Sequence, residues 1–289
     1  MEALRQRVVG HRLEKVLIRG PFLLRSVTPP VQAAQGKLVR EVRRVGKRIA
    51  MGLHEEVWLA LHLMIAGRLH WRAAAPKTRA RNILAAFVFD AGTLTLTEAG
   101  SQHRASLHLA VGEEGLSELD AGGIDVLAAG RDEFEAALKS ANHTLKRALT
   151  DPRLFSGIGN AYSDEILHRA QLSPISMSQR LDADQVTRLY RSVQEVLVEW
   201  VDRLRRETGD RFPEKVTAFR DGMAVHGRYG HPCPRCGSKI QRIRYAANET
   251  NYCPVCQTGG RLLADRALSR LLREDWPRSL DELDALKTR

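Results

Sequence analysis

The chain has 289 residues, 43% of them hydrophobic, and its 45 Lys and Arg against 34 Asp and Glu give a net charge of +11. Two or three domains fit this length, and no apolar run approaches the roughly 18–20 residues that a membrane span requires. The positive excess points to a polyanionic partner, although composition does not separate nucleic acid from an anionic membrane surface.

Residues 2–8 suggest a stub of helix before Gly10. Short β-favouring stretches follow at 16–18, 22–24, 49–51, 57–62, 85–89 and 94–97, broken by Gly, Pro and charged turns. Such spacing predicts a β-sandwich or barrel over residues 1–115. A cluster of Lys37, Arg40, Arg43, Arg44, Lys47 and Arg48 lies within it, broken only by Glu41. Gly, Glu and Asp enrich the stretch from Gly112 to Gly130, and we place a linker at 116–130.

A helical domain is expected over 131–222, beginning with one helix from Glu133 to Leu149 on the spacing of Phe134, Leu138 and Leu145. Ser156-Gly157-Ile158-Gly159-Asn160 then precedes a helix reaching Ala170. Glycines ahead of a helix let its backbone amides face outward, and that end attracts phosphate. Asn160 is either an ordinary cap there or a donor to a phosphate oxygen. Asp182 and Gln185 form a capping-box pattern ahead of a long helix. Its buried face is read from Val186, Leu189, Tyr190, Val193, Val196, Leu197 and Trp200.

All four cysteines fall in residues 226–258, as Cys233-x-x-Cys236 and Cys253-x-x-Cys256 with sixteen residues between. Two such knuckles turn four thiolates toward one point, the donor set of one structural Zn2+. A redox or disulfide pairing is the alternative; no hydrophobic signal opens the chain, so we expect a reducing, cytoplasmic setting and the metal. Four thiolates leave no open position for a catalytic water. The bridge carries Lys239, Arg242 and Arg244, a basic hairpin suited to nucleic acid. In the tail, 259–289, Leu262 to Leu272 predicts a basic amphipathic helix.

Taken together, Ser156–Leu167, His226-Gly227-Arg228-Tyr229-Gly230 and the cysteine hairpin resemble the formamidopyrimidine-DNA glycosylase and endonuclease VIII family. The resemblance covers the chain to about residue 258 and implies an α+β multidomain protein: β-sandwich, helix–two-turn–helix domain, zinc-ribbon finger. It implies a monomer that acts on double-stranded damaged DNA without membrane association. Such enzymes flip out an oxidised base, attack the sugar C1′ with an N-terminal proline amine, and cut the strand through a Schiff base with help from an adjacent glutamate. Met1 to Gly10 matches the family about ten residues inside its start, so neither group is found here. We expect translation to begin upstream; the other reading is a damage-binding protein without the nucleophile. A zinc-ribbon scaffold and an RNA-binding module are further alternatives, the latter disfavoured by few aromatics for base stacking.

The resemblance carries over residue by residue. Lys47 matches a lysine on the lesion's phosphates, and Ile65 stands where a wedge residue fills the gap left by the flipped base. Arg104 corresponds to an arginine facing the orphaned base, Lys146 to a lysine ahead of the helix–two-turn–helix, and Glu165 to a glutamate supporting that motif. Asn160 is the phosphate donor. Asn248 occupies the place of a finger arginine, and Arg242 or Arg244 is expected to compensate for the missing charge.

Overall fold

The computed structural model describes the chain except residues 21, 74–82, 100–102, 215, 246–247, 265–275 and 288–289. It divides into two compact units, one of residues 1–121 with 205–216, the other of residues 122–204 with 217–289.

In the first unit, helix α1 (Glu2–Val8) precedes strands β1 (Arg12–Ile18), β2 (Lys37–Val45), β3 (Arg48–Leu53), β4 (Val57–His62), β5 (Gly67–Arg72), β6 (Ile83–Phe89), β7 (Gly92–Glu98) and β8 (Ser106–Val111). Their order in the sheet is β5-β7-β6-β1-β2-β3-β4-β8, and every pairing is antiparallel. β1 and β2 share only the pairs Arg12–Leu38 and Leu13–Lys37, so the sheet folds there into two layers of a sandwich. Alternation along β4 shows how the sequence builds it. Val57, Leu59 and Leu61 enter the core between the layers with Phe87, Leu94 and Leu107, while Trp58 and Ala60 face the other side.

That other side explains a departure from expectation. Residues 112–117 are helical where composition suggested a linker, while the division between the two units, at 121/122, does fall within 116–130. Helix α2 (Gly112–Ser117) lays the buried Leu116 on Trp58, Ala60 and Ala110, giving the outer face of β4 a small core of its own. Phe22–Leu24 is not a strand either; it is a turn with one bridge, Leu24 to Leu107, and Phe22 is exposed. Residues 205–216 complete this unit: Phe212 packs on the core, Arg205 pairs with Glu2, and Glu214 pairs with Arg72.

The second unit holds β9 (Ile124–Asp125), α3 (Arg131–Lys139), α4 (Leu145–Thr150), β10 (Phe155–Ser156), α5 (Asn160–Arg169) and α6 (Ala183–Thr208) up to residue 204. The helix expected from Glu133 to Leu149 is broken after Lys139. In the break, His143 and Ser178 bond through their backbones, and the Leu145 and Lys146 amides donate to the carbonyls of Ser176 and Pro174. These long-range bonds compete successfully with helix continuation. α6 buries the predicted stripe, with Val186, Leu189, Val193, Val196 and Trp200 in a core that also holds stacked Phe134 and Phe155. Its capping box is reciprocal: the Gln185 amide donates to Asp182 Oδ1 at 2.8 Å and the Asp182 amide to Gln185 Oε1 at 3.2 Å.

The same unit continues into the hairpin β11 (Gln241–Tyr245) and β12 (Asn248–Tyr252), then α7 (Pro254–Thr258) and α8 (Leu280–Lys287). The predicted helix at Leu262–Leu272 lies mostly outside the described residues. Leu262 and Leu263 are buried, and the Leu263 amide donates to the Tyr252 hydroxyl at 2.8 Å. No helix among the described residues is long and apolar enough to cross a membrane.

Candidate nucleic-acid interface and metal centre

The sulfurs of Cys233, Cys236, Cys253 and Cys256 all lie within 4.8 Å of one another. Cys236 to Cys253 is 3.4 Å and Cys233 to Cys256 is 4.0 Å. Four sulfurs at about 2.3 Å from one tetrahedral zinc would sit about 3.8 Å apart, so the group fits. Each knuckle is shaped by its own backbone: the Gly237 amide donates to the Cys233 carbonyl, and the Cys256 amide to Cys253 Sγ at 3.4 Å. Burial pushes the Cys253 and Cys256 thiols up, Cys256 to about 11. Burial acts the same way on Cys236, but hydrogen bonds from Ser238 and the neighbouring thiols outweigh it and bring that thiol down to about 6. A dication at the centre supplies the charge that lets all four ionise together.

Around the α5 N-terminus, Gly157 takes φ +90, a conformation that only glycine adopts without strain, and turns the chain into the helix. Asn160 Nδ2 donates to the Glu249 carbonyl of the hairpin at 3.0 Å. Lys146 is largely buried; its Nζ donates to the Asn160 carbonyl at 2.6 Å and to Asp164 Oδ1 at 2.5 Å. Burial pulls the Lys146 ammonium down from its usual value, and Asp164 opposes that. Asp164 Oδ2 in turn meets His226 Nδ1 at 2.8 Å. Glu165 accepts from the amides of Ala224, Val225 and His226 at 2.7–2.9 Å, closing the turn that leads to the first knuckle. Phe219, 68% exposed, stacks on the buried His226 with ring centroids 5.5 Å apart. A Cβ at Gly227 would meet Phe219 Cδ1 at 2.7 Å, and its φ is +70, so glycine is required there.

The hairpin corrects one expectation. β11 and β12 pair Arg242 with Asn251 and Arg244 with Glu249, whereas Asn248 pairs with Tyr245. Paired residues share a face and successive residues alternate, so Asn248 stands on the face opposite both arginines. Neither arginine therefore shares a face with Asn248. Arg242 is also engaged within the protein: it lies 3.4 Å from Glu249 Oε2 and over the Tyr229 ring at 4.2 Å. Arg244 and Asn248 are exposed.

Lys47, Ile65 and Arg104 belong to the first unit, where strand register brings their segments to one end of one layer. Lys47 is in the β2–β3 turn, Arg48 pairs with His62, and His62 pairs with Ser106, two residues beyond Arg104. Ile65, 71% exposed, tips the β4–β5 turn beside Met64. Sequence reasoning missed the imidazoles here. Burial lowers the pKa of His62, and Arg48, Lys47 and His108 push it the same way; His108 is lowered by burial, Arg48 and Arg25. Arg48 Nε and His108 Nδ1 are buried without a hydrogen-bond partner among the described residues. The signal that was available is the pairing of basic residues on adjacent strands, which only the register reveals. Lys47 is itself held below its usual value by burial.

Three family models match the chain: the formamidopyrimidine-DNA glycosylase N-terminal domain over residues 1–101, its H2TH domain over 126–210, and the zinc finger found in FPG and IleRS over 230–259. Formamidopyrimidine-DNA glycosylase of Thermus thermophilus is 34% identical over 267 residues, spanning 89% of this chain and 95% of the relative. An uncharacterized formamidopyrimidine-DNA glycosylase-like protein of Mycobacterium tuberculosis is 40% identical over 151 residues, 52% of this chain and 94% of that protein. The crystal structure of the Thermus thermophilus MutM (Fpg) protein superimposes with a TM-score of 0.74 at 31% identity, covering 89% of this chain and 95% of that one. The Lactococcus lactis Fpg complex with abasic-site DNA, at 23% identity and a TM-score of 0.77 over 89% of this chain and 96% of that one, shares the fold. The chain belongs to the formamidopyrimidine-DNA glycosylase family.

Proposed function

We propose that the chain is a DNA-repair glycosylase that engages duplex DNA at a damaged nucleotide and turns that nucleotide out of the stack. The observation that carries this reading is the end of the sandwich around His62. Among the described residues, the charges that shift that imidazole are all basic groups, two buried nitrogens beside it lack hydrogen-bond partners, and an exposed Ile65 projects from the adjoining turn. Phosphates of a kinked backbone would neutralise the first group while Ile65 fills the space of the extruded base. The N-terminus of α5, with the half-buried Asn160 at its head, suits a second stretch of backbone. The zinc holds the knuckles from which the hairpin projects.

Excision then follows the family chemistry. An amine attacks C1′, the damaged base leaves with a proton, and the resulting imine acidifies C2′ so that elimination breaks the C3′–O bond. That lyase step belongs to the proposal, with the amine assigned to an N-terminal proline of the kind that the family resemblance implies. Fluorescence anisotropy on matched duplexes with and without an abasic-site analogue tests the binding reading; equal affinities would refute it. Borohydride trapping tests the chemistry: abundant covalent complex is expected once a Pro-Glu segment is fused ahead of Met1, and little without it. Efficient trapping by residues 1–289 alone would move the nucleophile to an amine of this chain.

A further inference from the structure

Helix α5 ends beside the metal centre. His168, in its last turn, is 7% exposed, and its Nε2 lies 3.3 Å from Cys233 Sγ, itself buried. The zinc-knuckle pattern does not require a histidine there, and no role in DNA contact reaches so deep a ring. Besides the bonds of Asp164 and Glu165 to His226, two others hold the finger on the same segment of chain. Asn160 Nδ2 reaches the Glu249 carbonyl at 3.0 Å, and the buried Gln257 of α7 donates to the Leu172 carbonyl at 2.9 Å. Those bonds fix the finger's strand and its last helix, whereas the His168 contact reaches the metal-binding sulfur.

We propose that His168 is a positioning residue that donates its Nε2 proton to the zinc-bound Cys233 thiolate, tying the metal centre to the helix that carries Asn160 at its other end. The direction of the bond follows from the acceptor. A thiolate on zinc has no proton to give, so the hydrogen between nitrogen and sulfur belongs to the ring. Four thiolates around one dication leave a net negative charge in a half-buried site. An N–H aimed at one sulfur draws off part of that charge, fixes the orientation of the ligand and makes the sulfur a poorer nucleophile. The alternative is that the imidazole merely fills space as an aromatic ring.

His168→Phe keeps a ring and removes the donor, whereas His168→Gln keeps an N–H that can reach the same sulfur. With full-length zinc-loaded protein, transfer of zinc to a chromophoric chelator should be about 10–100-fold more favourable for the Phe variant and close to wild type for Gln. With cobalt in place of zinc, the sulfur-to-metal charge-transfer band should move to longer wavelength in the Phe variant only, because a thiolate without its hydrogen bond donates more readily. Wild-type zinc transfer and an unshifted band for His168→Phe would show that the ring only fills space. Should either variant fail to fold, the unaltered protein decides. Loaded with a spin-half cadmium isotope, it should show scalar coupling between the metal and the His168 Nε2 proton. A ring proton in fast exchange with no such coupling would overturn the assignment.

Discussion

Asn160 and Glu249 are joined through a 3.0 Å bond from the side-chain amide at the head of α5 to a backbone carbonyl in the finger hairpin. An amide has two N–H groups, so one remains for phosphate while the other holds the hairpin. Asn160→Ala removes both. Binding should fall for damaged and intact duplexes by a similar factor, corresponding to about 1.5–3 kcal/mol for a bond to a charged oxygen. A loss confined to damaged duplexes, measured by anisotropy on the two, would contradict a backbone contact.

Asn248 stands on the hairpin face away from Arg242 and Arg244, so a cation introduced there meets no cationic neighbour across the pair. Asn248→Arg should tighten binding to an abasic duplex. The slope of log affinity against log salt should steepen by about 0.9, the value of one added phosphate contact. An unchanged slope means that this tip does not reach the backbone.

His62 and His108 couple binding to pH. Both pKa values are lowered from 6.5, first by burial and then by surrounding cations. A phosphate beside them favours the charged rings, so binding takes up protons and affinity rises as pH falls toward the lowered values of the free protein. Stability moves the other way: the unfolded chain binds those protons more readily, so stability present above pH 6.5 is lost as pH falls through the folded values. Calorimetry in buffers of different ionisation enthalpy measures the uptake. His62→Gln should reduce it, and an uptake of zero in the unaltered protein would sink the coupling.

Much of this arrangement was legible in the chain, for stated reasons. Cysteine spacing, the α6 stripe and the Asp182–Gln185 box are local patterns, and local patterns survive into the fold. The failures involve partners distant in sequence. The break after Lys139 depends on residues 174–178, and the α2 contact depends on the outer face of β4. The basic cluster around His62 assembles only when β3, β4 and β8 are in register. That Asn248 and the two arginines lie on opposite faces is a parity that required the hairpin pairing itself.

Lys146 looks in sequence like one more DNA cation, yet it neutralises Asp164, whose side chain is fully buried. Lys146→Met leaves that carboxylate with His226 alone and should cost about 3–5 kcal/mol of stability. Urea denaturation with matched m-values measures it. A midpoint equal to that of the unaltered chain would mean that Asp164 is adequately served by His226.

Cys253→Ser should release zinc and abolish DNA binding. The helical core around Phe134, Phe155 and Leu189 contains no finger cysteine, so most far-ultraviolet circular dichroism should remain. Complete loss of helicity would show that the finger is needed for the helical core to form.

The first unit has a gap in its chain, since residues 205–216 return to it after the whole of 122–204. During synthesis the sandwich strands emerge first, but Arg205, Phe212 and Glu214 arrive only after the whole of 122–204. At roughly 5–20 residues per second the wait is about 4–17 s. Through that interval the sandwich lacks its Phe212 packing, and Glu2 and Arg72 lack their partners. The nascent chain therefore reaches its least protected state on the ribosome with its strands already made, and a chaperone acting on it has that window in which to do so.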